Sequence, residues 1–349
     1  MKSSPLDATA SSLMTEELRR PGAGRVLIVG CGQLGSRHLQ AVASVSQARE
    51  IEVVDPCPEA LRLGQQRLQE VADRQSDIRV RWLASLEEAT KGGDLCIVAT
   101  QADVRCQLVK QIADTLGYSS FLLEKLVAQS IRDYEELMKF SQRNRLSVWV
   151  NCKTRLHPSH QRVKTQLDLN EPILFSVIGG NQGLVNNGVH VVDLFAFYDG
   201  AQRIESAGSS IDPILHSSKR GNGMFDLSGT LHGSSEKGSH FTISFAAHHT
   251  GPMHYTIASS RYRAVIDDML KWCYESTVEA GWAWRAVPIE TNLLVSNMTR
   301  GFAKDILTLG RCELPTLEEC LPAHRFILSE LLPHFNALLG RESERCPAT

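Results

Sequence analysis

The stretch Val26-Leu27-Ile28-Val29-Gly30-Cys31-Gly32-Gln33-Leu34-Gly35 decides how the first half of the chain folds. Four consecutive aliphatic residues read as a buried strand, and they run directly into a G-x-G-x-x-G string. Alone, that string is a weak signal, because glycines occur in many turns. Its surroundings give it meaning: Leu34, Leu39 and Val42 begin a helical stripe, and Ile51-Glu52-Val53-Val54 form a second strand ending in Asp55, twenty residues past Gly35. In that setting Gly30 permits a tight turn, Gly32 leaves the backbone open to a pyrophosphate, and Gly35 lets helix and strand pack closely. The helix N-terminus then faces the negative charge. The stretch predicts a dinucleotide site. Asp55 refines it: a carboxylate there accepts hydrogen bonds from ribose hydroxyls and repels a 2'-phosphate, and Pro56 and Cys57 offer no cation to rescue one. NAD is expected in preference to NADP.

Working outward, β-rich runs at residues 25–29, 51–54, 78–83, 95–99, 121–123 and 146–150 alternate with helical periodicity, as in the stripe Val104, Leu108 and Ile112. Ser85 with Glu88, and Ser130 with Asp133, have the spacing that caps a helix start. Six strands with five helical connections predict a Rossmann-type doubly wound parallel sheet. After about residue 150 the helical spacers vanish. Strands are expected at 173–178, 225–231, 240–246, 254–258 and 262–266, separated by Gly/Ser/Asn-rich turns, which implies antiparallel pairing. A helix is expected at 188–198, and a long one begins at Thr316, whose Glu319 completes a capping box after Pro315. The fold class is thus α/β followed by α+β. Residues 1–23 read as a flexible leader, 24–150 as the NAD-binding unit, and 151–340 as an open, mostly antiparallel sheet with flanking helices that takes the substrate.

Bulk properties narrow the function classes. At ~150 residues per domain, 349 residues allow two domains. Lysine plus arginine total 37 against 39 acidic residues, a net charge of -2, so nothing draws the chain to nucleic acid or an anionic membrane. The nine cysteines are odd in number and contain no C-x-x-C pair, which fits reduced thiols in the cytoplasm. No apolar run marks a secretory signal, and no uncharged stretch approaches the ~18 residues of a membrane helix.

Two places could hold a substrate. Glu124-Lys125 closes the fifth strand, the edge of a parallel sheet where ligands bind. In Asn186-Asn187-Gly188-Val189-His190-Val191-Val192-Asp193, the residues Asn186, His190 and Asp193 at i, i+4 and i+7 are expected to share one helix face, opposite Val189, Val192, Phe195 and Ala196. Hydride transfer from a secondary alcohol requires removal of the hydroxyl proton, and histidine, with a free pKa of ~6.5, suits that task. A lysine can position the oxygen and stabilise developing alkoxide charge. No tyrosine is followed four residues later by lysine, which excludes the short-chain dehydrogenase arrangement. His248, His249 and His254 have no ligand-spaced cysteines or carboxylates beside them and read as strand or rim residues, so no metal is expected.

The ordered set Gly30-x-Gly32-x-x-Gly35-x-Arg37-His38, Asp55-Pro56, Ala99-Thr100, Glu124-Lys125, Arg155-Leu156-His157-Pro158 and Gly188-x-His190-x-x-Asp193 resembles the glucose-fructose oxidoreductase and inositol dehydrogenase (Gfo/Idh/MocA) family. The late segments Phe302-Ala303-x-Asp305-Ile306-Leu307 and Leu314-Pro315-Thr316-Leu317-Glu318-Glu319 continue it, so the likeness spans about residues 24 to 340. The resemblance implies oxidation or reduction at a carbon of a sugar, nucleotide-linked sugar or cyclitol, and a second sheet that builds a homodimer or homotetramer. It places Gly30, Gly32, Gln33, Leu34, Gly35, Asp55, Thr100, Gln101, Glu124 and Lys125 on the cofactor, Lys125 and His190 in the chemistry, and Asn186, Asp193, Lys153 and Arg155 around the substrate. Arg155, Lys153 and Arg220 hint at an anionic group there. Two positions depart from the family pattern: Leu126 stands where a proline with a cis bond is common, and Asn186 where an aspartate is usual. An amide can hydrogen-bond a hydroxyl but cannot take its proton, so the family's dinucleotide-binding regulators are the alternative.

Overall fold

In the computed structural model, which describes residues 24–218, 223–289 and 294–349, the aliphatic run that precedes the glycine loop is an inner strand of a parallel sheet. Strand β1 (Arg25–Val29) leads into α1 (Gly35–Ala43). The alternation continues with β2 (Glu50–Val54), α2 (Pro58–Gln69), β3 (Arg79–Leu83), β4 (Leu95–Val98), α3 (Ala102–Leu116), β5 (Ser120–Leu123), α4 (Ile131–Arg143) and β6 (Ser147–Val150). The order across the sheet is β3-β2-β1-β4-β5-β6, with every pair parallel. Helices cover both faces, so Val26, Leu27 and Ile28 are all wholly buried, which is why the run is continuously apolar. The strand order reverses between β1 and β4, the position at whose carboxyl ends open α/β sheets bind ligands.

One expected connection is different. Between β3 and β4 the chain makes only a 3-10 turn, Leu86–Glu88, so four α-helices rather than five link the six strands. Residues 84–94 are too few for a crossover helix before Gly92, at φ +73°, turns the chain back. The expected caps form: Ser85 and Glu88 make a reciprocal box, and Ser130 Oγ accepts from Asp133 N at 3.1 Å.

After a second 3-10 turn, Lys153–Leu156, come α5 (Pro158–Thr165), β7 (Leu174–Gly179), α6 (Gly188–Asp199), β8 (Ile204–Ile211), β9 (His216–Ser217), β10 (Phe225–Asp226), β11 (Gly229–Ser235), β12 (His240–Phe245), β13 (His254–Ala258), β14 (Tyr262–Asp267), β15 (Trp272–Thr277), β16 (Arg285–Pro288), α7 (Val295–Leu309) and α8 (Leu317–Leu339). Eight strands form a second sheet, β16-β15-β14-β13-β7-β12-β11-β8, antiparallel except that β7 and β12 run parallel. The single strand expected at 225–231 is two: β10 pairs with β9, and β11 joins the large sheet after Gly229 bends at φ +128°. The sequence of β8, I-E-S-A-G-S-S-I, lacks apolar alternation, and α5 carries one aliphatic side chain, Val163, so neither has a periodic signal.

Helices α6 and α8 cover one face of the second sheet. On β7, Phe175 and Val177 point into that core while Leu174 and Ile178 remain exposed on the other face. Almost all of α6 is buried. Each of its fully buried Val and Leu side chains, and Phe195, contributes roughly 1.5–3 kcal/mol, which anchors the helix. Helix α8 joins the two cores: Leu317 and Cys320 pack with the first sheet, and Ala323, Phe326, Ile327 and Leu331 with the second. Helix α7 lies on α1, where Phe302, Ala303 and Ile306 enter the first sheet's other core. No helix among the described residues is long and apolar enough to cross a membrane. The expected leader, 1–23, lies outside the described residues.

Candidate active site

The glycine loop has the geometry its sequence implies. Gly30 sits at φ +89°, and a Cβ there would lie 2.9 Å from Ala99 C and Thr100 N, so the turn needs glycine twice over. A Cβ on Gly35 would stand 1.7 Å from the Gly30 carbonyl oxygen. A Cβ on Gly32 would meet nothing within 4 Å, which leaves that backbone open to an anion. Helix α1 has no acidic side chain in its first turn and no side-chain cap, so the positive end of its dipole also favours a negative group. Asp55 stands at the end of β2, where its carboxylate accepts from Cys31 N at 2.6 Å and Cys57 N at 2.9 Å. A cation does lie near this loop: Arg67 of α2 donates to the Gln33 carbonyl at 2.7 Å, Gln33 Oε1 at 2.5 Å and Ser36 Oγ at 2.6 Å. Reading only the residues next to Asp55 misses it, because it arrives from the far end of α2.

Thr100 and Gln101 lead from β4 into α3, with Gln101 as its N-cap residue. Glu124 follows β5 and is 3% exposed. Its Oε1 accepts from Asn151 Nδ2 at 2.6 Å and faces His38 Nε2 at 2.9 Å, while His38 Nδ1 lies 3.0 Å from Thr299 Oγ1 of α7. Burial alone would raise the Glu124 carboxyl. His38, the Asn151 amide and the Lys125 ammonium outweigh burial and hold the group well below the usual carboxylate range. The next residue, Lys125, is buried and donates from Nζ to the Asn186 carbonyl at 2.8 Å, with Asn186 Oδ1 at 3.4 Å. The Lys125–Leu126 peptide bond is cis, although Leu126 replaces the expected proline.

The shared helix face does not form as expected. Helix α6 starts at Gly188, so Asn186 belongs to the turn before it, while His190 lies in its first turn, half-buried. Asp193 is fully buried in a bidentate pair with Arg155, whose Nε and Nη2 donate at 2.9 and 2.5 Å. These two groups are occupied with each other. Lys153 opens the 3-10 turn beside them; burial pushes its ammonium below the ordinary lysine value, and Glu124 pulls it partly back. Arg220 lies outside the described residues.

Folding brings together residues whose spacing gave no hint. His157 and His160 converge on Asp268, with His160 Nε2 2.8 Å from its carboxylate and Ser159 Oγ donating at 3.0 Å. His160 Nδ1 is 2.6 Å from the Tyr198 hydroxyl, which completes a buried polar network. His248 and His249 line an open cavity of about 500 Å³ with Asp212, Thr230 and Ser244, and His254 opens β13.

No family model matches this chain, and no curated protein does. Its fold recurs in solved structures of low sequence identity. An oxidoreductase from Agrobacterium radiobacter in complex with NAD+, L-tartaric acid and magnesium is 14% identical, with a TM-score of 0.69 over 87% of this chain and 94% of that one. A 3-ketoreductase from Actinomadura kijaniata in complex with NADP and TDP-benzene is 14% identical, with a TM-score of 0.67 over 87% and 95%. The transcriptional regulator Gal80p from Kluyveromyces lactis is 17% identical, with a TM-score of 0.64 over 87% and 88%. At these identities the likeness establishes the fold.

Proposed function

We propose that this chain is an NAD-dependent oxidoreductase of the glucose-fructose oxidoreductase and inositol dehydrogenase family. It would transfer a hydride to or from a secondary alcohol carbon of a sugar, nucleotide-linked sugar or cyclitol. The observation that carries the proposal is the Lys125 ammonium, 2.8 Å from the Asn186 carbonyl in the turn that opens the His190 helix, at the carboxyl edge of the sheet that bears the glycine loop. The enzymes of like fold, one in complex with NAD+ and one with NADP and a nucleotide compound, support it.

Bound NAD would supply the hydride acceptor, held by Gly30, Gly32, Gln33, Leu34 and Gly35, with Asp55 toward the ribose and Thr100, Gln101 and Glu124 on the nicotinamide side. Lys125 orients the substrate hydroxyl and stabilises the negative charge that grows on its oxygen. His190 accepts the hydroxyl proton during oxidation and returns it during reduction. Asn186 and Lys153 hydrogen-bond neighbouring hydroxyls, and the Arg155–Asp193 pair keeps α6, and with it His190, in place. Residues 24–150 thus serve the cofactor and 151–340 the substrate. The exposed sheet face with Leu174, Ile178 and Tyr274 is where a homodimer or homotetramer would form. We place the protein in the cytoplasm, without nucleic-acid or membrane partners.

The test is a panel of free sugars, nucleotide-linked sugars and cyclitols, followed by reduced-cofactor absorbance with NAD and NADP in parallel, since Asp55 favours the first and Arg67 lies close enough to matter for the second. The expected result is turnover on one compound class with NAD, reduced ~100-fold or more in Lys125→Ala. Absence of turnover in both directions across the panel would contradict the proposal. The likeness to Gal80p favours one alternative, a regulator that binds NAD, reduces none of it and recruits a protein partner.

A further inference from the structure

The turn that presents Asn186 to Lys125 is held from outside by a residue with no role in the reading above. Asp226, on β10, is a buried carboxylate that accepts four hydrogen bonds. They come from Val185 N at 2.8 Å, Asn186 N at 3.0 Å, Leu227 N at 2.8 Å and Asn186 Nδ2 at 2.8 Å. Gly183 makes room for it: at φ +83°, a Cβ there would lie 2.2 Å from Asp226 Oδ2. The main-chain N–H and one amide N–H of Asn186 are therefore committed to one carboxylate. With its nitrogens pinned, Asn186 turns its carbonyl and its Oδ1 toward Lys125 Nζ, at 2.8 and 3.4 Å. Three of the four bonds tie the turn to β10, so it is stiff.

We propose that Asp226 is a positioning residue for Lys125: by holding the Asn186 nitrogens it fixes both oxygens of Asn186 that receive the ammonium. This rests on the reading of Lys125 as the partner of the substrate hydroxyl. The other titratable groups that act on Lys125 are Glu124 at the end of β5, Cys152 after β6 and His324 of α8, with Arg105 of α3 beyond His324. His324 is driven down to about 4 by burial and stays neutral at pH 7, so Glu124 is the carboxylate that acts on the ammonium directly, while Asp226, whose carboxyl burial pushes up against its N–H donors, reaches it through Asn186.

The test uses the full chain with its lysines reductively methylated with carbon-13, the Lys125 resonance being identified by its loss in Lys125→Arg. In Asp226→Asn the Lys125 titration midpoint should fall by about one pH unit, a tenfold change in its ionisation constant, because the ammonium loses its fixed acceptor. On any substrate the panel identifies, kcat should fall with KM unchanged. If Asp226→Asn does not fold, Asn186→Ala removes the relaying amide alone and should lower the midpoint in the same direction. An unchanged midpoint in a folded variant would overturn the proposal. The titration needs no substrate, so a shifted midpoint in a protein that turns over nothing would sustain the positioning role and refute the reaction.

Discussion

The glycine loop and the lysine cleft lie at the same edge of one sheet but are built in opposite ways. The loop is assembled from near neighbours: Gly30, Gly32 and Gly35 within one turn, and Asp55 bonded to Cys31 across 24 positions. The cleft is assembled at long range, with Lys125 meeting Asn186 across 61 positions, Asn186 meeting Asp226 across 40, and Arg155 meeting Asp193 across 38. A local device needs only backbone geometry. A long-range one needs both sheets folded and α6 held rigid, so on the proposed function the reaction site depends more on tertiary packing than the cofactor site does.

The largest expected effect lies on the long-range side. Arg155→Ala strands the buried Asp193 carboxylate, and the loss of folding free energy should be about 3–5 kcal/mol, read from urea unfolding. A loss no larger than that of a surface substitution would mean that the cleft is not tied down by this pair. A smaller effect probes the joint between the two regions, where His38 of the loop helix meets Glu124 beside Lys125. Because Glu124 is held below its ordinary value when folded, its stabilisation is complete above the unfolded carboxyl value of ~4.3 and is lost as pH falls toward the folded value. Glu124→Gln should therefore cost about 1–3 kcal/mol at pH 7, with the deficit shrinking below about pH 4. A deficit that is constant with pH would show that the carboxylate charge contributes nothing to the joint.

The same contrast explains what was legible in the sequence. All six parallel strands, the caps at Ser85, Ser130 and Thr316, and the special geometry of Gly30 and Gly35 follow from patterns a few residues long. Helix α6 starts at Gly188, as its sequence implies, whereas the stripe Asn186, His190 and Asp193 reaches two residues back beyond that start into the turn. Asn186 precedes the helix, and the Asp226 carboxylate of another strand holds its nitrogens there. Asp226, Arg67 and the His157–His160–Asp268 network carried no signal, since each exists only once distant segments meet. Strand β8 lacks apolar periodicity because nearly all of it is exposed or half-buried, and helix α5 because two of its three buried residues, Ser159 and His160, are polar.

The most direct test of the central claim, that the loop binds the cofactor and the cleft performs the chemistry, is His190→Asn measured two ways on one preparation. NAD affinity by calorimetry should stay within about twofold of the native protein, while turnover falls by ~100-fold or more. Affinity and turnover falling together, or turnover left intact, would contradict the account.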